Sequence, residues 1–435
     1  MPASPAPASP APAAPGRRYD LDWIRVGAFM LLILYHVGMF YVPWDWHVKS
    51  PHQIAGLEPV MLLTNPWRLT LLFLVSGCAT RFLADSLKAR GEGIGGLARS
   101  RTLRLLPPIL LGLFVVVPPQ SYYEVFEHLR AAGVADPAHH PWLKDFWVRY
   151  ATASGGWCAD DGCLITPTYN HLWFVVYLLI YSLGLAAILA VPGAGRRLQA
   201  AADRAFAGWG LIVWPLAYLA LIRWTLAPRF EINHAIVGDW YNHALSFGAF
   251  LFGFLVARSE LARETFIRLR RPALIAALAS WAIFAAYAWA YRGEAAAPAD
   301  GLRRVMRLAY AADQWAFIVA ILGFGGRWLN RGGPVLRYLT VGVFPFYIVH
   351  QTVIVVAGHH LARLGLPVGA EAAALVSITV LGCAVTYEVA RRAGVFGLLL
   401  GVMPSGGRRR RFADAACGAT PTHHPERTGL FSRGV

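Results

Sequence analysis

The chain has 435 residues, of which 57% are hydrophobic and only 15% are charged, whereas an ordinary soluble domain carries about 25% charged residues. Its apolar residues lie in blocks of about 20, the length that a transmembrane helix needs. This composition excludes a soluble globular domain. The net charge of +16 would fit a nucleic-acid-binding protein, but a membrane protein also collects Lys and Arg on its cytoplasmic loops.

Taken in chain order, the sequence predicts an all-α, polytopic membrane helix bundle between two tails. Residues 1–18 are rich in Pro and Ala, and we expect a disordered tail because they have no apolar core to bury. Residues 19–392 form the predicted transmembrane domain, and residues 393–435 a basic, disordered tail. About ten transmembrane helices are predicted, over residues 21–42, 61–83, 102–117, 168–191, 208–227, 239–257, 272–291, 310–329, 335–357 and 367–390.

The basic residues between these helices alternate in number from loop to loop. One set of alternate loops, together with both tails, holds 27 of the 40 Lys and Arg residues, and the other set holds 10. The count assigns Arg81, Arg104, Arg327 and Arg337, two residues from a helix end, to the adjoining loops, and the remaining three, Arg25, Arg68 and Arg223, lie further inside predicted helices. By the positive-inside rule, both termini are predicted to be cytoplasmic. This explanation of the charge removes the reason to expect nucleic-acid binding.

The longest predicted outer loop spans about residues 118–167 and mixes aromatic rings with carboxylates. Two interpretations fit it: a small folded cap that stacks against sugar rings, or an aromatic belt at the membrane interface. Cys158 and Cys163 are close enough in sequence to form a disulfide if the loop faces an oxidising compartment. A metal site is disfavoured because these two cysteines have no nearby His, and we predict no metal.

The first predicted helix carries a polar stripe. Arg25 and His36 are 11 residues apart, which is three turns plus about 20°, so both side chains lie on one face, about 16 Å apart along the axis. Asp22 shares that face and can pair with Arg25. Such a stripe must face protein or water rather than lipid.

Four histidines from four predicted helices fall at a similar depth towards the outer face. They are His36, His171, His243 and His350. Asn170 and Asp239 lie beside them along the chain. A single His in an apolar span is usually a hydrogen-bonded structural residue, whereas four at one depth favour a shared polar cavity.

Arginines dominate the opposite, inner side. Arg101 and Arg104 share a face at the start of the third helix and can grip a phosphorylated ligand through charge-assisted bonds. The alternative is an ordinary positive-inside flank. Pro66 allows a helix break in the second span, after which Arg68 either snorkels to the interface or faces the cavity.

Five segments together resemble the integral-membrane acyltransferase 3 family, and within it the glucan biosynthesis protein C branch. They are Arg25 and His36 with ten residues between them, the LFLVSG turn at 72–77, Arg101 and Arg104 with two residues between them, HLWFV at 171–175 and PFYIVHQ at 345–351. The resemblance covers about residues 19–390.

The resemblance implies transfer of an acyl group from cytoplasmic acyl-CoA to an extracytoplasmic carbohydrate across the cell inner membrane. It makes His36 the catalytic residue and Arg101 and Arg104 the acyl-CoA-binding pair. The resemblance to the glucan branch further implies that the acceptor is a glucan and that the transferred acyl group is succinyl or acetyl. Acyl-CoA is then a donor substrate, and no permanently bound cofactor is expected. The expected partners are acyl-CoA, the carbohydrate and the lipid bilayer, while the sequence leaves the oligomeric state open.

These implications give a mechanistic hypothesis. His36 acts as general base on the acceptor hydroxyl, since an imidazole has an ordinary pKa near neutrality, and His350 and Asp239 complete the catalytic set. The residues expected to bind substrate or line its passage are Asp22, Arg25, Arg68, Asn170, His171, Trp173 and His243. Two rival classes stay open. One is a transporter or flippase for a polar or glycan substrate, and the other is a sensor or assembly partner built on the same scaffold.

Overall fold

The computed structural model describes residues 17–159, 162–293 and 297–403. These residues form an almost entirely α-helical bundle, which confirms the predicted fold class. The α-helices are α1 (Tyr19–Tyr41), α2 (Glu58–Leu62), α3 (Arg68–Ala89), α4 (Gly93–Leu111), α5 (Pro118–Ala131), α6 (Phe146–Ala151), α7 (Trp173–Ala190), α8 (Ala194–Ala205), α9 (Gly210–Thr225), α10 (Trp240–Val256), α11 (Glu260–Ala290), α12 (Asp300–Trp328), α13 (Pro334–Leu361) and α14 (Val368–Arg392).

Shorter elements join these helices. They are 3₁₀ turns at Ala55–Leu57, Pro137–His139, Asn170–Leu172 and Gly394–Leu400, a π-helical segment at Gly112–Val116, and the two-residue strands β1 (Cys158–Ala159) and β2 (Gly162–Cys163). The strands pair antiparallel, with Cys158 opposite Cys163.

All ten predicted spans coincide with helices, but these helices differ in whether they are long and apolar enough to cross a membrane. Within the described residues, eight helices are long and apolar enough, or nine if α8 and α9, which are bent by 103°, count as one broken span. Helix α10, with 17 residues, is not among these eight, although 17 residues is the lower end of the spanning range. The structure therefore supports eight to nine spans where the sequence predicted about ten.

The loops predicted to be cytoplasmic come together at one end of the bundle. Arg258 Nε donates to Asp85 at 3.0 Å, and Trp23 Nε1 donates to the Arg331 carbonyl at 3.0 Å. We call this the basic end. The grouping agrees with the predicted alternation of loops, and the cytoplasmic location of the termini stays a prediction.

Small residues allow α3 and α10 to pack backbone to backbone. A Cβ on Gly77 would lie 1.9 Å from the Phe250 carbonyl oxygen, and one on Gly253 would lie 1.9 Å from that of Leu74. Close approach at small residues is typical of membrane helix pairs.

The segment at 72–77 is continuous helix within α3, and its prediction as a turn was wrong. The predicted break near Pro66 is confirmed, because α2 ends at Leu62 and α3 begins at Arg68.

The ordered domain is slightly longer than predicted at both ends. Arg17 and Arg18 pair with Asp22 and Asp20 at 3.0 and 2.8 Å, so these two arginines do not belong to a disordered tail. After α14, the 3₁₀ turn Gly394–Leu400 packs against α4, which extends the domain past residue 392. The rest of the two predicted tails, residues 1–16 and 404–435, lies outside the described residues.

The predicted outer loop is a folded cap. Helices α5 and α6 enclose an apolar core that includes Phe146, Tyr150 and Trp157, and Phe146 stacks on Trp157 at 4.7 Å. Cys158 and Cys163 form a disulfide across the strand pair. Most of the aromatic rings of this loop therefore pack inside the core of the cap. Trp147, 49% exposed, is one ring that remains accessible for a ligand.

Candidate active site

Two histidines meet where α1 packs on α13. His36 Nδ1 lies 2.7 Å from His350 Nε2, and His350, which is fully buried, places Nδ1 2.6 Å from the Tyr347 carbonyl oxygen. A carbonyl can only accept, so His350 carries its hydrogen on Nδ1 and accepts at Nε2 from His36 Nδ1–H. This order of hydrogen bonds leaves the lone pair of His36 on Nε2. That nitrogen has no hydrogen-bond partner among the described residues.

The loop after α1 holds His36 in place. The Trp46 ring lies nearly parallel to the His36 ring, with centroids 6.4 Å apart. Lys49 Nζ donates to the carbonyls of Met39 and Trp44 at 2.6 and 2.7 Å, which satisfies carbonyl groups at and just beyond the carboxyl end of α1. His36 remains half-buried, so these neighbours orient its ring without enclosing it completely.

His171 supports this pair and has no free nitrogen. Its Nε2–H donates to the Ile348 carbonyl at 3.0 Å, and its Nδ1 accepts from Gln120 at 3.3 Å. The ring packs edge-on against His350, with centroids 5.3 Å apart. Because both nitrogens are occupied, His171 fixes the position of α13 rather than offering a base.

A cluster of amides surrounds a further histidine beside the pair. The amide nitrogens of Gln351 and Asn170 lie 3.0 and 3.2 Å from His47 Nε2, and Gln351 also donates to Gln120 at 3.2 Å. His47 Nδ1–H donates to Glu124 at 2.8 Å. We call these five residues the amide cluster. Sequence reasoning gave no role to His47, Glu124 or Gln120, since they lie in a loop and a cap helix without any motif.

The π-helical segment Gly112–Val116 brings Gln120 into this cluster. The Val116 carbonyl accepts from the Thr352 hydroxyl at 2.6 Å, and Gln120 Nε2 donates to the same hydroxyl at 2.6 Å. Segments of this kind frequently lie at functional sites because they redirect the chain within a helix. Here the irregular backbone ties α5 to α13 next to His350.

Asp239 and His243 lie in a different cluster, between α7 and α10. Asp239 accepts from the Tyr177 hydroxyl at 2.7 Å and from Asn242 at 2.8 Å, while His243 Nδ1 lies 3.0 Å from the Tyr181 hydroxyl. In the described part of the chain, neither residue contacts His36 or its partners. The structure therefore brings together three of the four predicted histidines and leaves His243, with Asp239, outside.

Trp173 also belongs to this second cluster. Its ring stacks on His234, with centroids 4.2 Å apart, and it is 7% exposed. His234 lies in the loop before α10, where burial lowers the pKa of its imidazole. The Trp173 ring thus has a protein partner on one face and little accessible surface.

Three arginines gather near the basic end. Arg25 Nη2 lies 3.5 Å from Asp22 and donates to the Thr340 carbonyl at 3.4 Å. Arg101 is buried, donates to the Thr80 hydroxyl, and is close enough to Arg25 and Arg104 for their charges to repel one another. In the described ranges Arg101 forms no ion pair, and its Nε has no hydrogen-bond partner. Positive charges that are drawn together in this way fit an anionic ligand.

Arg68 faces protein and does not snorkel. Its guanidinium carbon lies 3.6 Å from the centroid of the Tyr35 ring, Nη1 donates to Thr64 at 3.2 Å, and only 4% of the residue is exposed. Arg68 is also close enough to His36 to act on it electrostatically. It therefore packs against protein close to the imidazole pair, and its place in a substrate cavity stays a prediction.

The fold and the site together define a polytopic membrane protein with an oriented imidazole in its core and an arginine group nearer the basic end. The family model described as "Acyltransferase domain" matches residues 18–388, which is most of the chain, and the chain belongs to this acyltransferase 3 family. No curated protein and no solved structure matches the chain. The family is thus shown, while the glucan biosynthesis protein C branch is not confirmed.

Proposed function

We propose that this protein is a membrane O-acyltransferase that moves a succinyl or acetyl group from cytoplasmic acyl-CoA to a hydroxyl of an extracytoplasmic glucan or related carbohydrate. We place it in the cell inner membrane. The observation that carries the proposal is the free lone pair on His36 Nε2, in a chain that belongs to an acyltransferase family.

In the proposed reaction, His36 Nε2 takes the proton of the acceptor hydroxyl as its oxygen attacks the thioester carbonyl. The carbon–sulfur bond then breaks, and the imidazolium returns the proton to the thiolate, which leaves as free CoA. His350 Nε2 accepts from His36 Nδ1–H throughout. That hydrogen bond strengthens when His36 becomes charged, so it stabilises the transition state more than the ground state.

The donor is proposed to enter from the basic end. Arg101, Arg104 and Arg25 would hold its phosphates through charge-assisted bonds. Arg25 and His36 are 11 residues apart on α1, which is about 16 Å along the axis. The extended arm of CoA between its phosphates and its sulfur spans a comparable distance, so the thioester carbonyl would reach His36.

The acceptor is proposed to lie against the amide cluster. Asn170 precedes His171 and Gln351 follows His350 in the chain, and hydroxyl-rich ligands are recognised by amide donors and acceptors of this kind. His171 would act indirectly by fixing α13. We assign no chemical step to Asp239, His243 or Trp173, because they lie in the second cluster.

The proposal is tested with the purified full chain in nanodiscs, with acetyl-CoA and succinyl-CoA as donors and a β-glucan as acceptor. Free thiol and acylated glucan are measured together. His36→Ala should abolish both, while His52→Ala, which removes an exposed loop histidine, should not. Full thiol release by the His36 variant would reject the assignment. In sealed proteoliposomes, uptake of glucan without thiol release would favour a transporter.

A further inference from the structure

An open cleft lies beside the cap, where α13 ends at the side of the bundle opposite the basic end. It encloses about 740 Å³, which is within the roughly 300–1,000 Å³ of a typical ligand site. Three segments form its walls: the loop after α1 at Pro51, the cap between Phe126 and Pro137, and the chain after α13 at Arg363. We call it the cap cleft, and the proposed reaction gives it no role.

Charged side chains and an aromatic ring line the cap cleft. Arg363 lies over the Phe126 ring, with its guanidinium carbon 5.4 Å from the ring centroid, and Phe126 is only partly buried. Arg130 and Asp136 line the same cleft and are exposed. The cleft therefore offers guanidinium donors, a carboxylate acceptor and an apolar ring. A sugar, which has hydroxyl groups at its edge and C–H groups on its faces, can use all three.

The charges at the cap cleft balance one another. Glu127 accepts from Arg363 Nη2 at 2.9 Å and lies 3.7 Å from Arg130, and Asp136 supplies a second carboxylate. With the nearby histidines neutral, two guanidiniums thus meet two carboxylates, which leaves little net field to attract an anion. A neutral, hydroxyl-rich ligand fits this balance better than a phosphate or an acidic chain.

Helix α5 connects the cap cleft to the amide cluster. Glu124 belongs to that cluster, while Phe126 and Arg130, further along the same helix, line the cleft. The Tyr123 hydroxyl lies 3.2 Å from His360 Nε2, which ties α5 to α13 between the two surfaces. One helix therefore fixes the amide cluster and the cap cleft relative to each other.

The cap cleft is too far from the imidazole pair for one sugar ring to occupy both places. Arg363 follows His350 by 13 residues, which is about 20 Å at the rise of a helix. A chain of several sugar units can extend over this distance. Two weak contacts made by one chain bind it more tightly than either contact alone.

We infer that the cap cleft is a second carbohydrate subsite, which binds a neutral stretch of the acceptor chain away from the hydroxyl that is acylated. The inference rests on the proposed function for the nature of the acceptor, and it adds a preference for long chains. Because the cleft lies away from the reacting groups, it contributes equally to substrate and transition-state binding. It should therefore lower KM for long acceptors and leave kcat unchanged.

The first test is calorimetry on the full chain in nanodiscs without donor, with a β-glucan decasaccharide and the matching disaccharide. The decasaccharide should bind about a hundredfold more tightly, because bridging adds to the roughly tenfold gain from its larger number of binding registers. Arg130→Gln and Asp136→Asn should each lower this ratio about two- to tenfold, as for the loss of one hydrogen bond. Lys144→Gln, which removes an exposed charge elsewhere on the cap, should preserve it.

Three binding results would overturn the inference. The first is a ratio of about tenfold or less in the unmutated protein, which registers alone explain and which does not depend on the folding of any variant. The second is a high ratio that neither variant lowers, which would place the second subsite elsewhere. The third is an oligouronate of the same length that binds more tightly than the glucan, which would contradict a neutral ligand.

The second test measures acyl transfer and separates this inference from the proposed function. Arg130→Gln should raise KM for the decasaccharide while kcat, and KM for the disaccharide, stay unchanged. A loss of kcat with the disaccharide would contradict a remote subsite. Absence of transfer to either acceptor, with a binding ratio that still falls in Arg130→Gln, would reject the proposed reaction and support the cap cleft as a carbohydrate site.

Discussion

The hydrogen bond between His36 and His350 gives the sharpest prediction. Replacing His350 with Leu removes the acceptor of His36 Nδ1–H, a contact of 2.7 Å, in a position that is fully buried. The bond is charge-assisted once His36 has taken the proton, and such bonds contribute about 1.5–3 kcal/mol. At 1.36 kcal/mol per factor of ten, kcat should fall about 10- to 150-fold.

The kinetic pattern matters as much as the size of the loss. Because the bond gains strength when charge develops on His36, kcat and kcat/KM should fall together while KM for acetyl-CoA changes little. His350→Gln offers a matched control, since its side-chain oxygen can still accept from His36 and should restore part of kcat. Initial rates of thiol release and of acylated glucan formation, at saturating donor, give these constants.

Two results would refute this reasoning. One is a His350→Leu enzyme with unchanged kcat, which would show that His36 needs no acceptor on Nδ1. The other is a loss confined to KM, which would make His350 a ground-state binding residue. A thermal unfolding scan of each variant shows whether a loss of activity reflects a loss of fold.

Three further outcomes are expected. Gly77→Ala should destabilise the protein by about 1–3 kcal/mol or more through overpacking against a backbone carbonyl, whereas Gly184→Ala, with open space at its Cβ, should be neutral in the same thermal scan. Burial lowers the pKa of Lys49 to about 8, below the ordinary 10.5, so the unfolded chain holds more protons between these values. The free energy of unfolding should therefore rise with pH across that window, and Lys49→Met should flatten the rise seen in denaturation at several pH values. Glu124→Gln weakens the orientation of His47 and should raise KM for glucan about tenfold with kcat nearly unchanged; equal loss in both constants would place Glu124 in the chemical step instead.

The sequence predicted well at which level along the bundle axis the site residues lie, because that level follows from the rise of each helix. Each residue advances an α-helix by about 1.5 Å, so the apolar spans set the level of His36, His171 and His350 along the bundle. The stripe of Arg25 and His36 also followed from spacing on a single helix. Both features depend only on local geometry and on the membrane thickness.

The rotation of each helix about its axis could not be predicted in the same way. It depends on packing, and helices such as α7 are apolar on nearly all sides, so no polar face fixes their orientation. His243 lies at the predicted end of α10 but turns towards Tyr181, because α10 packs tightly on α3 through Gly77 and Gly253. The roles of His47 and Glu124 were missed for a related reason, since loops and caps carry no periodicity.

The pairing of α1 with α13 explains how the proposed reaction across the membrane can keep its geometry. α1 carries Arg25 towards the basic end and His36 three turns further on, and α13 touches both, accepting from Arg25 at Thr340 and from His36 at His350. The continuous helix α1 fixes the separation of Arg25 and His36, whereas the cap and the amide cluster are built partly from loops and a π-helical segment. In the proposed reaction, the helices therefore hold the groups that meet the donor, and the loops are free to differ with the acceptor.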